Sequence, residues 1–183
     1  MTMAELKITK LQSDVLTKNF DCGNTTINNL ILESYYPTLL QHAYAFEVSS
    51  KENTVGYYMI NFKKIKLDSC PEDISDYTST MYDNCTSINI KYISVSSVYQ
   101  GYGLGSGIMN HIIRNVQNLS KNWPIRLITL DALKEKYEWY KRLGFKPFFN
   151  NDDDMDESPT VLMYIDCLID PVSLHTYCNS GLL

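Results

Sequence analysis

A mixed α/β sheet of about six to seven strands with helices packed against it is the architecture that this sequence predicts. Three observations carry the prediction. Strand-like and helix-like stretches alternate through the middle of the chain, while two strands near the start are close enough to pair as a hairpin. At 183 residues and 44% hydrophobic, the chain suits one well-packed domain and is short for two. A strong strand, SINIKYISVSSV, runs straight into a turn with glycine at 101, 103, 105 and 107 and then into a helical pattern.

The elements follow in order. LKITKLQ alternates as a first strand. In FDCGNTTINNLILESYYPTLLQHA, one of Asn24, Thr25 or Thr26 caps a helix with Ile27, Leu30 and Ile31 as its apolar face, and Pro37 breaks that helix in two. YAFEVSS and TVGYYMINFKKIKL, separated by KEN, form an antiparallel hairpin with Val55, Tyr57 and Met59 on one face. Residues 68–86 are polar and acidic and read as a long surface loop. After the glycine turn, Ile108, Ile112, Ile113 and Val116 mark the buried side of a helix. IRLITLDAL follows as a strand, and KEKYEWYKRL as a short helix stopped by Gly144. FKPFF and TVLMYIDCL are two final strands around an acidic loop. The domain spans 1–170, and 171–183 reads as a tail.

Composition narrows the class. The formal net charge of -5 and pI near 5.1 repel nucleic acid and anionic membranes unless the basic residues gather on one face. The five cysteines are scattered, with no CxxC, as in a reduced cytoplasmic protein. No signal peptide or membrane-spanning run is legible, so a membrane partner is not expected. Sequons at Asn24, Asn84 and Asn118 carry no meaning without secretion. Asp152-x-Asp154-x-Asp156 fails as a calcium loop, because Glu157 stands where glycine belongs and Met163 where the bidentate glutamate belongs. His42, His111 and His175 lack zinc-site spacing, so no metal is expected.

The glycine turn carries the chemistry. GxGxxG fails because Ser106 or Ile108 stands at the third glycine, and the P-loop fails because no lysine lies between Lys91 and Lys121. What remains is Gln100-x-x-Gly103-x-Gly105 between strand and helix. Such a turn exposes backbone N–H groups at the positive end of a helix dipole, which suits an anion and above all a pyrophosphate. A tight strand-helix connection with no ligand is the competing reading.

Gln100, Gly103 and Gly105 meet the [Arg/Gln]-x-x-Gly-x-[Gly/Ala] pattern, and YISVSSVYQ is similar to the strand before it; both resemble motif A of the GNAT N-acetyltransferase superfamily. YEWYKRLGF resembles the family's FYxxxGF signature, with Trp139-Tyr140 at the aromatic-tyrosine pair. Leu133 departs from the asparagine often found seven positions before that tyrosine. The resemblance implies a mostly antiparallel GNAT sheet, splayed between its two central parallel strands, with acetyl-CoA as co-substrate. It places the pyrophosphate on the amides of Gln100, Gly101, Tyr102, Gly103, Leu104, Gly105 and Ser106, and the pantetheine along the backbone of Ile93 and Val95. For direct transfer to an amine, the N–H near Val95 is the expected oxyanion donor and Tyr140 the expected general acid toward the departing thiolate. A core aromatic is the alternative for Tyr140. Asp131 suits a general base, but capping the next helix is the preferred reading. Lys141 and Arg142 are either phosphate contacts or solvated helix charges.

FDCGNTTINNLIL also resembles the opening of one GNAT branch, the toxins of toxin-antitoxin pairs. That branch implies acetylation of aminoacyl-tRNA and a ribbon-helix-helix antitoxin as partner. Charge opposes taking this over directly: no Lys or Arg lies from Asn19 to Ser50, where the acceptor cleft is expected, and Asp21, Glu33 and Glu47 do. Basic residues gather instead at Lys63, Lys64 and Lys66 and from Lys134 to Lys146. Three functions stay open: an N-acetyltransferase for a small-molecule or peptide amine, which is preferred; a tRNA-acetylating toxin; and a non-enzymatic acyl-CoA-binding protein. A homodimer is compatible with each.

Overall fold

The computed structural model describes residues 6–13, 20–51, 53–67, 70–71, 74, 83–148, 158–168 and 172. Seven strands form one sheet: β1 (Lys7–Lys10), β2 (Tyr44–Ser50), β3 (Asn53–Lys66), β4 (Asn84–Val95), β5 (Leu127–Leu133), β6 (Lys146–Pro147) and β7 (Thr160–Asp166). Their order is β1-β2-β3-β4-β5-β7-β6, mostly antiparallel with a parallel β4-β5 pair. The described helices are α1 (Thr25–Leu32), α2 (Tyr35–Leu39), α3 (Leu104–Ser120) and α4 (Tyr137–Arg142). By their own contacts the residues group into two compact units, 1–62 with 89–112 and 63–88 with 113–183.

In the first unit, β1 pairs with β2 and β2 with β3, each antiparallel, with a register shift between Val48 and Ser49. Val55, Tyr57 and Met59 are buried as the alternation predicts. Tyr58 is buried too, so this part of β3 is covered on both faces. The core joins Leu11, Ile31, Ala43, Ala45, Tyr57, Met59 and Tyr92. Asn24 is the cap of α1, its side chain accepting the Ile27 N–H at 3.0 Å. Ile31 is buried and Ile27 packs on the core, but Leu30 is 42% exposed, which corrects its assignment to the apolar face. The helix also breaks earlier than predicted, at Glu33-Ser34. There Ser34 Oγ donates back to the Leu30 carbonyl at 2.6 Å and shares a hydrogen bond with the Tyr92 hydroxyl at 2.6 Å. Pro37 falls in the first turn of α2, where a missing N–H costs the helix nothing.

In the second unit, β5 runs antiparallel to β7, from Leu127 opposite Asp166 to Leu133 opposite Thr160, and β6 pairs with β7. Ile65, Ile74, Leu127, Phe148 and Tyr164 form its core. Arg126 grips Asp166 through two hydrogen bonds, of 2.6 and 2.8 Å. Gly144 at φ +94° ends the helical segment as the sequence predicts. Asp131 is no helix cap. It lies inside β5 opposite Leu162, exposed, and Leu133 is the residue before the 3-10 turn Lys134–Lys136. Most of the expected 68–86 loop, the acidic loop at 149–157 and nearly all of the tail lie outside the described residues.

Candidate active site

The strand predicted to reach Val98 ends at Val95, and a 3-10 turn, Ser97–Tyr99, leads into the glycines. Gly101 has φ +83° and Gly103 φ +76°, left-handed conformations that an L side chain adopts only with strain. A Cβ added at either would meet no atom within 4 Å, so the backbone conformation and not crowding calls for glycine. Gly101, Tyr102 and Gly103 are exposed, with Tyr102 at 75%. Leu104 is buried and anchors the turn; Gly105 and Ser106 are half-buried. Helix α3 begins at Leu104, so the N–H groups of Leu104 and Gly105 have no carbonyl four residues back within the helix, whereas the Gly107 N–H reaches the Gly103 carbonyl at 3.0 Å. No carboxylate occupies the first turn of α3 to neutralise its positive end. Such an assembly is suited to hold an anion.

Gln100 is placed differently from its neighbours in the turn. Its carboxamide nitrogen donates to the carbonyls of Cys22 and Val95, each at 2.9 Å, and its own N–H reaches the Ser97 carbonyl at 3.4 Å.

The end of β4 is held from several sides. Ser94 Oγ donates to the Tyr57 carbonyl at 3.0 Å and accepts the Tyr57 N–H at 3.2 Å, so a hydroxyl stands where a main-chain partner would. A Cβ at Gly56 would collide with the Ser94 carbonyl oxygen, so this close approach of β3 to β4 requires glycine. Ser96 N–H donates to the Val55 carbonyl at 2.8 Å and Ser97 N–H to the Asp21 carbonyl at 2.9 Å. Ile93 and Val95 are half-buried beside this arrangement. Ser94 and Gly56 were not singled out by sequence, and Asp21 and Cys22 only as an acidic charge and as part of FDCGNTTINNLIL; a glycine inside a strand of β-branched and aromatic residues was the signal available for the β3-β4 contact. Asp21 also accepts the Gly23 N–H at 2.8 Å and the Asn28 side-chain amide at 2.7 Å, which together hold its carboxyl below the usual range. Burial pushes the neighbouring Cys22 thiol up.

Tyr140 belongs to the second unit. It sits on α4 between Trp139 and Phe145, edge-on to both, with ring centroids 4.7 and 5.7 Å away. Burial pushes its phenol up to about 12. It therefore stays protonated at neutral pH, as a proton donor must. Lys141 pairs with Glu138 at 3.6 Å and lies over the Tyr137 ring at 5.4 Å; Arg142 is exposed. Lys63, Lys64, Lys66, Lys134, Lys136 and Lys146 are all exposed. Among the described residues no three His, Cys, Asp or Glu side chains gather to hold a metal, and no helix is long and apolar enough to cross a membrane.

This strand order, with a glycine turn between β4 and α3, is a GNAT-like fold. Residues 70–147 match the model of the acetyltransferase (GNAT) domain family. Solved structures share the fold at low identity. A tyrosine-to-phenylalanine variant of KacT superimposes with a TM-score of 0.74 at 20% identity, covering 94% of this chain and 99% of KacT. AtaT in complex with acetyl-methionyl-tRNAfMet gives 0.72 at 20%, covering 86% and 93%. A variant of the AtaT toxin bound to the C-terminus of the antitoxin AtaR and to acetyl-CoA gives 0.66 at 17%, covering 95% and 98%. No curated protein sequence matches the chain.

Proposed function

We propose that this protein transfers the acetyl group of acetyl-CoA directly to a primary amine. The observation that carries the reading is the exposed turn of left-handed glycines feeding a helix N-terminus free of carboxylates, immediately after the braced end of β4. The diphosphate of coenzyme A settles on the amides from Gly101 to Gly105, and the pantetheine runs along Ile93 and Val95. The amine nitrogen attacks the thioester carbon, and the Val95 N–H stabilises the oxyanion. As the carbon-sulfur bond breaks, the Tyr140 phenol gives its proton to the thiolate. The proton that the attacking nitrogen sheds passes to solvent.

A second reading names the amine as that of an aminoacyl-tRNA, with an antitoxin as the restraining partner. Its support is the likeness to AtaT and KacT across nearly the whole chain. The charge pattern assigns any phosphate contacts to the exposed lysines at 63, 64, 66, 134, 136 and 146 rather than to α1 and α2, which carry no cation.

Release of free thiol from acetyl-CoA decides among the readings. Turnover with small or peptide amines supports the first; turnover with aminoacyl-tRNA alone, together with growth arrest on expression, supports the second. Coenzyme A binding with no thiol release from any acceptor defeats both and leaves a non-enzymatic binder.

A further inference from the structure

We infer that Gln100 is a positioning residue: its carboxamide ties the loop that enters α1 to the end of β4, and this tie, not contact with the ligand, is what it contributes to acetyl transfer. The inference rests on the acetyltransferase reading above. A carboxamide nitrogen carries two hydrogens fixed in one plane. Both are spent here, one on the Cys22 carbonyl and one on the Val95 carbonyl, each at 2.9 Å. Carbonyls from distant parts of the chain are thereby set at a fixed angle about one atom.

Each carbonyl belongs to a segment with work to do. The peptide joining Val95 to Ser96 is held along its other edge as well, where the Ser96 N–H donates to Val55 at 2.8 Å. With Gln100 on one side and β3 on the other, that peptide plane resists rotation. The Val95 N–H belongs to the preceding peptide, which meets this plane at the Val95 Cα. A plane held on both edges thus fixes one side of Val95 and limits how far the donor can drift from the developing oxyanion. Cys22 lies in a loop closed on itself: its N–H reaches Asn28 Oδ1 at 3.1 Å, Asp21 holds Gly23 and Asn28, and Asn24 caps α1. Two described links fasten this loop to the stretch between β4 and α3, namely the Ser97 N–H on the Asp21 carbonyl and the Gln100 side chain on the Cys22 carbonyl. A diphosphate that orders residues 101–105 therefore acts through Gln100 on Val95 and on α1 together.

The test compares the wild type with Gln100→Met, which keeps length but removes both donors, and Gln100→Arg, which keeps donors. Three quantities are read: coenzyme A affinity by calorimetry, kcat and KM by thiol release, and amide hydrogen exchange over residues 21–28. For Gln100→Met the expectation is coenzyme A affinity within about threefold of wild type. Exchange over 21–28 should be about tenfold faster and kcat about tenfold lower, the scale of two modest hydrogen bonds. Gln100→Arg should restore most of both. Loss of coenzyme A affinity beyond tenfold with unchanged exchange would make the carboxamide a ligand contact and overturn the inference; unchanged exchange together with unchanged kcat would overturn it equally. A wild type that binds coenzyme A without turnover defeats the acetyltransferase reading alone, since the exchange comparison still decides the tie.

Discussion

Gly103 and Tyr140 bear the two halves of the proposed chemistry, and each can be tried separately. Gly103→Ala forces a side chain into a left-handed conformation at φ +76°. The strain of about 1–2 kcal/mol should lower the melting temperature by about 2–8 °C in a chain of this size. Relief of that strain would re-aim the exposed amides of the turn, so coenzyme A affinity should fall by at least about tenfold, measured by calorimetry. Tyr140→Phe keeps the ring packed between Trp139 and Phe145 and removes only the hydroxyl. Loss of a general acid should cut kcat by about 10²–10⁴-fold with coenzyme A affinity unchanged. Because burial pushes the Tyr140 phenol up to about 12, the wild-type rate should rise as the amine loses its proton and show no descending limb from this group below pH about 10. A limb descending near neutral pH would remove Tyr140 as the acid. Its place in the aromatic-tyrosine signature was legible in the sequence; the ring packing that shifts its proton affinity was not, because Phe145 folds back onto it only around Gly144.

Elements were easier to read than their ends. Helix α3 lies where the period of Ile108, Ile112, Ile113 and Val116 puts it, since one apolar face is enough to determine a long amphipathic helix. The split between α1 and α2 depends on Ser34, whose hydroxyl reaches Tyr92 far along the chain, and no local pattern announces such a partner. At the other end of the chain, β5 and β7 are clasped by Arg126 and Asp166, both half-buried, and the Leu168 N–H also donates to Asp166 at 2.9 Å. Asp166→Ala would strand the guanidinium and should cost about 1–3 kcal/mol, read as a lower midpoint in denaturant. A double-mutant cycle with Arg126→Met should recover part of that loss, and strict additivity would show that the clasp contributes no coupling.

For the molecule as a whole, the buried phenols set the alkaline limit. Tyr57, Tyr92 and Tyr140 are each pushed up to about 12 by burial, with Glu47 adding to the shift at Tyr57. A raised folded-state value means that the folded protein holds these protons more tightly than the unfolded chain, whose tyrosines titrate near 10. Their stabilisation is therefore complete below pH about 10 and lost as pH climbs toward 12. Melting temperature followed by circular dichroism should be insensitive to these groups up to pH about 9.5 and fall steeply beyond it; an unchanged value at pH 11 would contradict their burial.

By itself the sequence determined the alternating order of strands and helices, the hairpin, the glycine turn and the aromatic-tyrosine helix, because periodicity, caps and left-handed glycines act over a few residues. Only the tertiary structure decided that Leu30 faces outward, that Asp131 is a strand residue, that Ser94 enters the β3-β4 contact and that Gln100 turns inward to two carbonyls. Each of those outcomes depends on which distant segment arrives alongside, and a hydrogen-bonding group takes the partner that folding brings within about 3 Å of it.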